Sequence, residues 1–190
     1  MKPPVKRAIM CGLAVFAGIA CNLSLKTVHY ETESEKITAP VKIAFLSDVH
    51  NSLYGKGQSE LTEEIADFGA DIVLFGGDLF DEHNGEENSW ALVDALSGEY
   101  PCFYAIGNHE IKTGKPDYYK EEMTKHGVTV LENGAVLIEV NGQEICISGT
   151  ENYWNVDDID VPSDIFSAIR FPSLSQTVYF IFMSAVSPVT

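Results

Sequence analysis

The sequence predicts an α/β fold with a largely parallel sheet, and two observations lead to that prediction. Short apolar runs rich in β-branched or aromatic residues occupy residues 41–47, 71–75 and 102–106, and amphipathic helical patterns occupy residues 59–68 and 87–97 between them. Each apolar run also ends at a turn that contains an acidic residue or glycine. Because strands that alternate with helices form parallel sheets, ligand chemistry is expected at the carboxyl ends of these strands.

The first two apolar runs are expected to be buried strands. Their hydrophobicity is continuous rather than alternating, which is typical of strands that are covered on both faces. In the helix between them, Leu61, Ile65 and Phe68 recur at helical spacing and predict one buried face. Ser59 is expected to cap that helix, and Gly69 is expected to end it.

The later part of the body predicts one more helix and a hairpin. Asn141-Gly142 separates two apolar stretches and is the strongest short hairpin signal in the chain. The expected elements are a helix over residues 116–126, a short strand over 128–130, and the two hairpin strands over 135–140 and 144–148.

Composition and charge limit the possible functions. The chain has 190 residues, of which 45% are hydrophobic and 11% aromatic, so one globular domain is expected and intrinsic disorder is excluded. It carries 12 Lys and Arg against 28 Asp and Glu, a net charge of −16. Because no basic cluster follows Arg7, nucleic acid is not expected as a partner. A phosphate ligand would need bound metal to offset the negative field.

The N-terminus has the pattern of an export signal. Lys2, Lys6 and Arg7 precede an uncharged run of 18 residues, from position 8 to position 25. That length suits a membrane anchor or a cleaved signal peptide, and the alternatives are a lipid-modified Cys21 and a buried core helix. Since basic residues stay in the cytoplasm, the acidic body is expected on the extracytoplasmic face of the cell membrane, or secreted after cleavage.

Three segments are therefore predicted. Residues 1–25 form the signal peptide or membrane anchor, residues 26–40 a polar, acidic linker that closes with Pro40, and residues 41–190 the folded domain. Cys102 and Cys146 belong to that domain and lie in strand-like apolar stretches. They are expected to be buried free thiols, with a disulfide between them as the alternative.

Side chains able to hold a metal ion follow each of the first three predicted strands. Asp48 and His50 follow the first strand, Asp78 the second, and Asn108 and His109 the third. One βα unit separates successive groups, which would bring all three loops to one edge of the sheet. Carboxylate, imidazole and amide ligands together suit Mn²⁺, Fe or Zn²⁺ better than Ca²⁺, which takes oxygen ligands only.

These residues carry a family resemblance. The D-x-H sequence at residues 48–50, G-D at 77–78 and G-N-H-E at 107–110 resemble, in order and spacing, the motifs of the calcineurin-like metallophosphoesterases. The match covers about residues 41–150, and the basic, apolar N-terminus is similar to that of the membrane-anchored bacterial branch. The resemblance implies a four-layer αββα sandwich with a two-metal centre.

The resemblance also implies a role for each residue. Asp48 and His50 would bind the first of two divalent metal ions, Asp78 would bridge both, Asn108 would bind the second, and His109 would be the catalytic acid. The implied activity is hydrolysis of a phosphomonoester or phosphodiester by a two-metal mechanism, in which the ions generate hydroxide and offset the phosphate charge. The implied partner is a phosphate-ester substrate.

The sequence departs from the family after residue 150. The family completes its centre with later histidines, but no histidine follows His126 here. Residues 177–184 resemble the strand that would precede the first of them. The expectation is therefore a sandwich that is incomplete at the C-terminus, in a truncated or frame-shifted product with very weak or absent hydrolysis. The alternative is a pseudoenzyme that binds metal poorly.

Four other polar residues are not assigned to the centre. His29 lies in the predicted linker, His83 in an acidic loop, and His126 at a helix end, where a cation suits the helix dipole. For Asp81, in the same acidic loop, two interpretations are open: it tunes the site, or it belongs to a solvated loop.

Overall fold

The computed structural model describes residues 25, 27–32, 37–132, 134–149 and 180–183. The chain divides into two units, Met1–Tyr30 and Glu31–Thr190, and every helix and strand reported below lies in the second. Residues 1–24, which carry most of the predicted anchor, lie outside the described residues. Within the part that is described, no helix is both long enough and apolar enough to cross a membrane.

The first sheet has four parallel strands in sequential order, so the predicted parallel α/β arrangement is confirmed. The first pair aligns Ile43 with Ile72, and the second aligns Val73 with Cys102. The strands are β1 (Ile43–Leu46), β2 (Ile72–Phe75), β3 (Cys102–Tyr104) and β4 (Thr129–Val130).

Four α-helices lie between these strands in the chain. The helices predicted over residues 59–68 and 87–97 are confirmed, and the one predicted over 116–126 ends one residue earlier. A short helix begins directly after Gly107, where the sequence predicts a loop. The helices are α1 (Ser59–Phe68), α2 (Glu87–Ser97), α3 (Asn108–Lys112) and α4 (Pro116–Lys125).

The predicted cap of α1 is wrong, whereas its predicted end is confirmed. Ser59 is already helical, and Gln58 occupies the N-cap position in a left-handed conformation without a side-chain cap hydrogen bond. A 3₁₀ turn over Lys56–Gln58 precedes the helix and moves its start. The Gln58 side chain does not cap the helix. It is buried, and its Nε2 donates hydrogen bonds to the carbonyl oxygens of Ser52 and Asn88.

The second sheet contains the predicted hairpin. Strands β5 (Gly134–Val140) and β6 (Gln143–Gly149) pair antiparallel, and β7 (Phe180–Met183) pairs parallel to β6. Asn141 and Gly142 turn the hairpin with φ of 52° and 75°, the two positive values that a type I′ turn requires. The prediction of a strand within residues 177–184 is confirmed for the four residues of β7.

The two sheets pack face to face around one buried core. Alternate residues of β2 and β6, namely Ile72, Leu74, Ile145 and Ile147, meet there, and each is at most 1% exposed. This core cluster contains no helical residue. The helices therefore cover the other face of the parallel sheet, which gives a helix layer and two sheet layers of the αββα order. No helix follows β5 or β6 within the described residues.

Strand β1 is less buried than its composition predicted. It lies at the edge of the described four-stranded sheet, and Phe45 is 53% exposed, so full coverage on both faces is wrong for this strand. The ring of Phe45 lies against Gly76, where a Cβ atom would be 2.3 Å from Cζ of the ring. Glycine at position 76 therefore leaves room for the phenyl ring.

Both cysteines of the described body are free and buried, as expected. Burial raises the pKa of Cys102 to about 12, and it also raises the pKa of Cys146. At neutral pH both side chains are therefore protonated thiols that pack as small apolar groups.

The core between the sheets makes a stability prediction. Ile147→Ala should lower the free energy of unfolding by about 2–5 kcal/mol, because Ile147 is fully buried and its truncation leaves a cavity. Leu137→Ala is the matched control in the same hairpin, since Leu137 is 45% exposed. Urea unfolding of both variants measures the difference. Equal losses would show that the sheets do not share a packed core.

Candidate metal centre

The loops that follow β1 and β2 run side by side beyond the sheet edge. The backbone amide of Asp48 donates to the carbonyl of Gly77 at 3.3 Å, and that of His50 donates to the carbonyl of Asp78 at 3.0 Å. Two of the sequence-predicted positions on the first loop are thus tied directly to the second loop.

The loops that follow β2 and β3 touch through two glycines. A Cβ atom at Gly77 would lie 2.6 Å from Cα of Gly107, and a Cβ at Gly107 would lie 2.2 Å from Oδ1 of Asp78. Gly77 also has a φ of 88°, which side chains disfavour. Only glycine at both positions allows the backbones to approach so closely.

The side chain of Glu110 joins the same two loops through hydrogen bonds to their backbone amides. Its side chain is fully buried and accepts hydrogen bonds from the backbone amides of Asp78 (2.9 Å), Leu79 (2.7 Å), Phe80 (3.1 Å) and Gly107 (2.9 Å). The sequence identified Glu110 only as the last letter of a motif. Its function as an anchor depends on contacts about thirty residues away, which no local pattern reports.

The ionisation of Glu110 reflects two opposing effects. Burial raises the pKa of Glu110, and the amides of Phe80 and Asp78 offset part of that increase. An ionised carboxylate suits these surroundings, because it accepts hydrogen bonds and has none to donate to the converging N–H groups.

Three site residues have left-handed backbone conformations although none is glycine. The φ angles are 57° at Asp48, 48° at His50 and 55° at Asp78. Such conformations cost of order 1–3 kcal/mol each and persist where surrounding contacts impose them. The hydrogen bonds between the loops supply those contacts. They hold the three residues in conformations that orient their side chains toward the site, at a cost in folding free energy.

His50, Asp78 and His109 form a group that can hold a metal ion. One potential ligand atom of each lies within 4.8 Å of the others, and Asp78 is buried. The rings of His50 and His109 meet edge to face, with centroids 4.5 Å apart. Oδ1 of Asp78 also accepts a hydrogen bond from the backbone amide of His109 at 2.8 Å. Two imidazoles with one carboxylate fit Mn²⁺, Fe or Zn²⁺.

The structure places the other two predicted ligands beside this group. The Asp48 side chain is 66% exposed, and its Oδ1 lies 3.8 Å from Nε2 of His50. Asn108 is half-buried at the start of α3, next to His109. The three loops therefore converge as the sequence predicted, while the individual ligand assignments stay predictions.

Two neighbouring carboxylates of the acidic loop face the two imidazoles. Oδ2 of Asp81 lies 3.6 Å from Nδ1 of His50, and Oε2 of Glu82 lies 3.1 Å from Nδ1 of His109. The Asp81 side chain is 9% exposed, so the solvated interpretation of that residue is wrong. The sequence analysis missed Glu82, and the only available signal was its place in the acidic run after Asp78.

The same loop contacts keep these carboxylates charged. Burial works to raise the pKa of Asp81, but hydrogen bonds from Asn84 and His83 outweigh it and leave that pKa below its usual value. A hydrogen bond from its own backbone amide, and then one from His109, lower the pKa of Glu82.

A second set of hydrogen bonds fixes the residue after His50. Oδ1 of Asn51 accepts from the backbone amides of Asn88 at 2.8 Å and Ser89 at 3.0 Å. Asn51 therefore caps the first turn of α2 from a distant loop, which satisfies amides that have no partner within the helix. Sequence reasoning missed this cap because it joins residues 37 and 38 positions apart.

The remaining histidines lie outside the group of three, as predicted. His126 follows α4, pairs through Nδ1 with Asp94, and stacks on Trp90 with ring centroids 4.9 Å apart. His29 and His83 are exposed.

Comparison with known proteins identifies the family. The family model described as calcineurin-like phosphoesterase matches residues 41–176, which is more than half of the chain. The chain belongs to this family. Calcineurin-like phosphoesterases depend on divalent metal ions, and the group formed by His50, Asp78 and His109 is the candidate site for such an ion.

The chain is also similar to three curated bacterial proteins, two of which have phosphodiesterase or metallophosphoesterase names. Phosphodiesterase YaeI of Escherichia coli K12 is 32% identical over 123 residues, which are 61% of this chain and 45% of the relative. Uncharacterized protein YpbG of Bacillus subtilis 168 is 30% identical over 144 residues, which are 74% of this chain and 51% of the relative. An uncharacterized metallophosphoesterase of Helicobacter pylori J99 is 31% identical over 139 residues, which are 72% of this chain and 36% of the relative. The chain thus spans about half or less of these relatives.

The buried carboxylate of Glu110 should support both the fold and metal binding. Glu110→Gln should destabilise the fold by roughly 1–3 kcal/mol and weaken Zn²⁺ binding, because the new NH₂ group faces amide donors and leaves them unpaired. Glu87→Gln is the control, since Glu87 is exposed on the first turn of α2. Urea unfolding and calorimetric Zn²⁺ titration measure the two effects. If Glu110→Gln behaved like the control, the loops would not depend on this carboxylate.

Proposed function

We propose that the protein is a metal-dependent phosphohydrolase that cleaves phosphomonoester or phosphodiester bonds by a two-metal mechanism. The observation that carries this proposal is the convergence of His50, Asp78 and His109 at the carboxyl edge of the parallel sheet, within 4.8 Å of one another. Family membership gives the reaction class, and the name of the relative phosphodiesterase YaeI favours a phosphodiester.

The ligands are assigned to two divalent ions, Mn²⁺, Fe or Zn²⁺. Asp48 and His50 would hold one ion, Asn108 would hold the other, and Asp78 would contact both. When bound, such ions supply positive charge that offsets the phosphate and acidifies a water molecule. The chain itself has a net charge of −16, so an anionic ester would otherwise be repelled.

His109 is assigned as the group that gives a proton to the leaving oxygen. Its side chain is 29% exposed, so a substrate can reach the ring, while its backbone amide is held by Asp78. An imidazole is suited to this task because it gains and loses a proton near neutral pH.

The site predicts metal-dependent turnover that requires Asp78. Wild-type chain with Mn²⁺ should hydrolyse an aryl phosphodiester slowly, and Asp78→Asn should reduce both turnover and Mn²⁺ affinity to background, because the shared carboxylate is lost. Asp67→Asn, an exposed change on α1, should alter neither. Initial rates and calorimetric titration provide the two readouts.

The two readouts also separate the hydrolase from the non-catalytic alternative. Mn²⁺ binding that Asp78→Asn abolishes, without any turnover, would identify a metal-binding form that is inactive. Turnover equal in wild type and Asp78→Asn would refute the assigned site.

We also propose that the N-terminal segment brings the domain to the extracytoplasmic face of the cell membrane, or outside the cell if that segment is cleaved. The support is the order of charges in the sequence: Lys2, Lys6 and Arg7 precede the uncharged run.

Reporter fusions after Pro40 test this location. Alkaline phosphatase fused there should be active in intact cells, because it folds only after export, and the same fusion without residues 1–25 should be inactive. A cytoplasmic reporter that is active at this junction, with inactive phosphatase, would contradict the proposed location.

A further inference from the structure

Asn51, the residue directly after His50, is held by hydrogen bonds from both its main chain and its side chain. Its backbone amide donates to the carbonyl of Leu79 at 2.9 Å, and its carbonyl accepts from Nδ2 of Asn88 at 2.9 Å. Its side-chain Oδ1 accepts from the backbone amides of Asn88 and Ser89. Four hydrogen bonds therefore attach this one residue to the loop after β2 and to the first turn of α2.

The same turn of α2 also holds the loop that carries Asp78. Oγ of Ser89 donates to the carbonyl of Leu79, the residue directly after Asp78, at 2.6 Å, and Ser89 is fully buried. Nε2 of Gln58, at the far end of the loop that follows β1, donates to the carbonyl of Asn88 at 2.9 Å. The first turn of α2 is thus a common support for the loops after β1 and β2.

The backbone beside Asn51 adopts a conformation that needs such support. His50 and Asn51 are consecutive residues with φ of 48° and 55°, in the left-handed region. Residues other than glycine rarely adopt this conformation, and they keep it where surrounding contacts impose it. The amide of His50 is bonded to the carbonyl of Asp78 at 3.0 Å, and Asn51 supplies the attachment on the other side. Without that attachment, the two residues would relax and the imidazole would move away from Asp78.

We propose that Asn51 is a positioning residue that holds the imidazole of His50 in the metal centre by anchoring the chain to the first turn of α2. The role depends on Oδ1, which accepts from amides that have no partner within the helix. Aspartate at this position would keep both acceptor contacts, and its charge suits a helix N-terminus, whereas alanine would remove both contacts. The effect on a bound ion rests on the proposed function, whereas the place of the ring in the metal-free chain does not.

The direct test is the contact between the rings of His50 and His109 in the metal-free chain, where their centroids lie 4.5 Å apart. Nuclear Overhauser effects between the two rings should be present in wild type, lost in Asn51→Ala and retained in Asn51→Asp. Ile147→Ala is the matched control, because it destabilises the core between the sheets and leaves the loops alone. A ring contact that persists in Asn51→Ala, or that is lost equally in Ile147→Ala, would overturn the proposal.

Zn²⁺ affinity gives a second readout, at a temperature where every variant is folded. Asn51→Ala should weaken Zn²⁺ binding roughly 10–100-fold, and Asn51→Asp should recover most of the loss. Ile147→Ala should bind Zn²⁺ like wild type. Equal losses in Asn51→Ala and Ile147→Ala would show that only stability is affected and would contradict the positioning role. If wild type binds no Zn²⁺, the proposed function fails, and the ring contact still decides the role of Asn51.

Hydrogen exchange in wild type tests the anchor even if Asn51→Ala does not fold. Zn²⁺ should slow exchange at the amides of Asn88 and Ser89, because an ordered ligand loop keeps Oδ1 of Asn51 in place. The controls are the amides of Asp117 and Tyr118, which occupy the equivalent positions of α4. Equal slowing at the two helices would contradict the anchor.

Discussion

The buried carboxylate of Glu110 is the constraint on which the site depends. Four backbone amides from the loops after β2 and β3 converge on two oxygen atoms that have no access to solvent. Each of these amides would otherwise be buried without a partner, which costs about 1–3 kcal/mol per group. The carboxylate therefore sets the distance between Asp78 and His109. The loops that carry Asp78 and His109 are therefore held by a residue that lies outside the group of His50, Asp78 and His109.

The residues around Glu110 allow the loops to lie as close together as these hydrogen bonds require. Gly77 and Gly107 allow the two backbones to meet, since a Cβ atom on either would overlap the other loop. Asp48, His50 and Asp78 accept left-handed conformations that cost energy, and hydrogen bonds between the loops hold them there. The packed core between the two sheets supplies the stability that offsets this strain.

Local patterns predicted most of the fold and the convergence of the three loops at one sheet edge, but not the contacts that hold those loops. The parallel strands, helices α1 and α2, and the hairpin at Asn141 follow from periodicity and turn chemistry, which nearby residues determine. The gathering of His50, Asp78 and His109 follows from the rule that parallel strands end at one edge. The exposure of Phe45, the anchor at Glu110 and the contact of Glu82 with His109 depend on partners distant in sequence. A short stretch of sequence does not show which distant residues will contact it.

The central proposal is that His50 and Asp78 bind a divalent ion at the carboxyl edge of the parallel sheet, with His109 beside that ion as the proton donor, and X-ray absorption at the zinc edge tests it most directly. Chain loaded with one equivalent of Zn²⁺ should show the outer-shell scattering of one imidazole, which His50→Ala should remove and His109→Ala should leave unchanged. Imidazole scattering shows ring ligands without requiring turnover, so the result is independent of substrate. A spectrum with oxygen ligands only, or the loss of imidazole scattering in His109→Ala, would contradict the account.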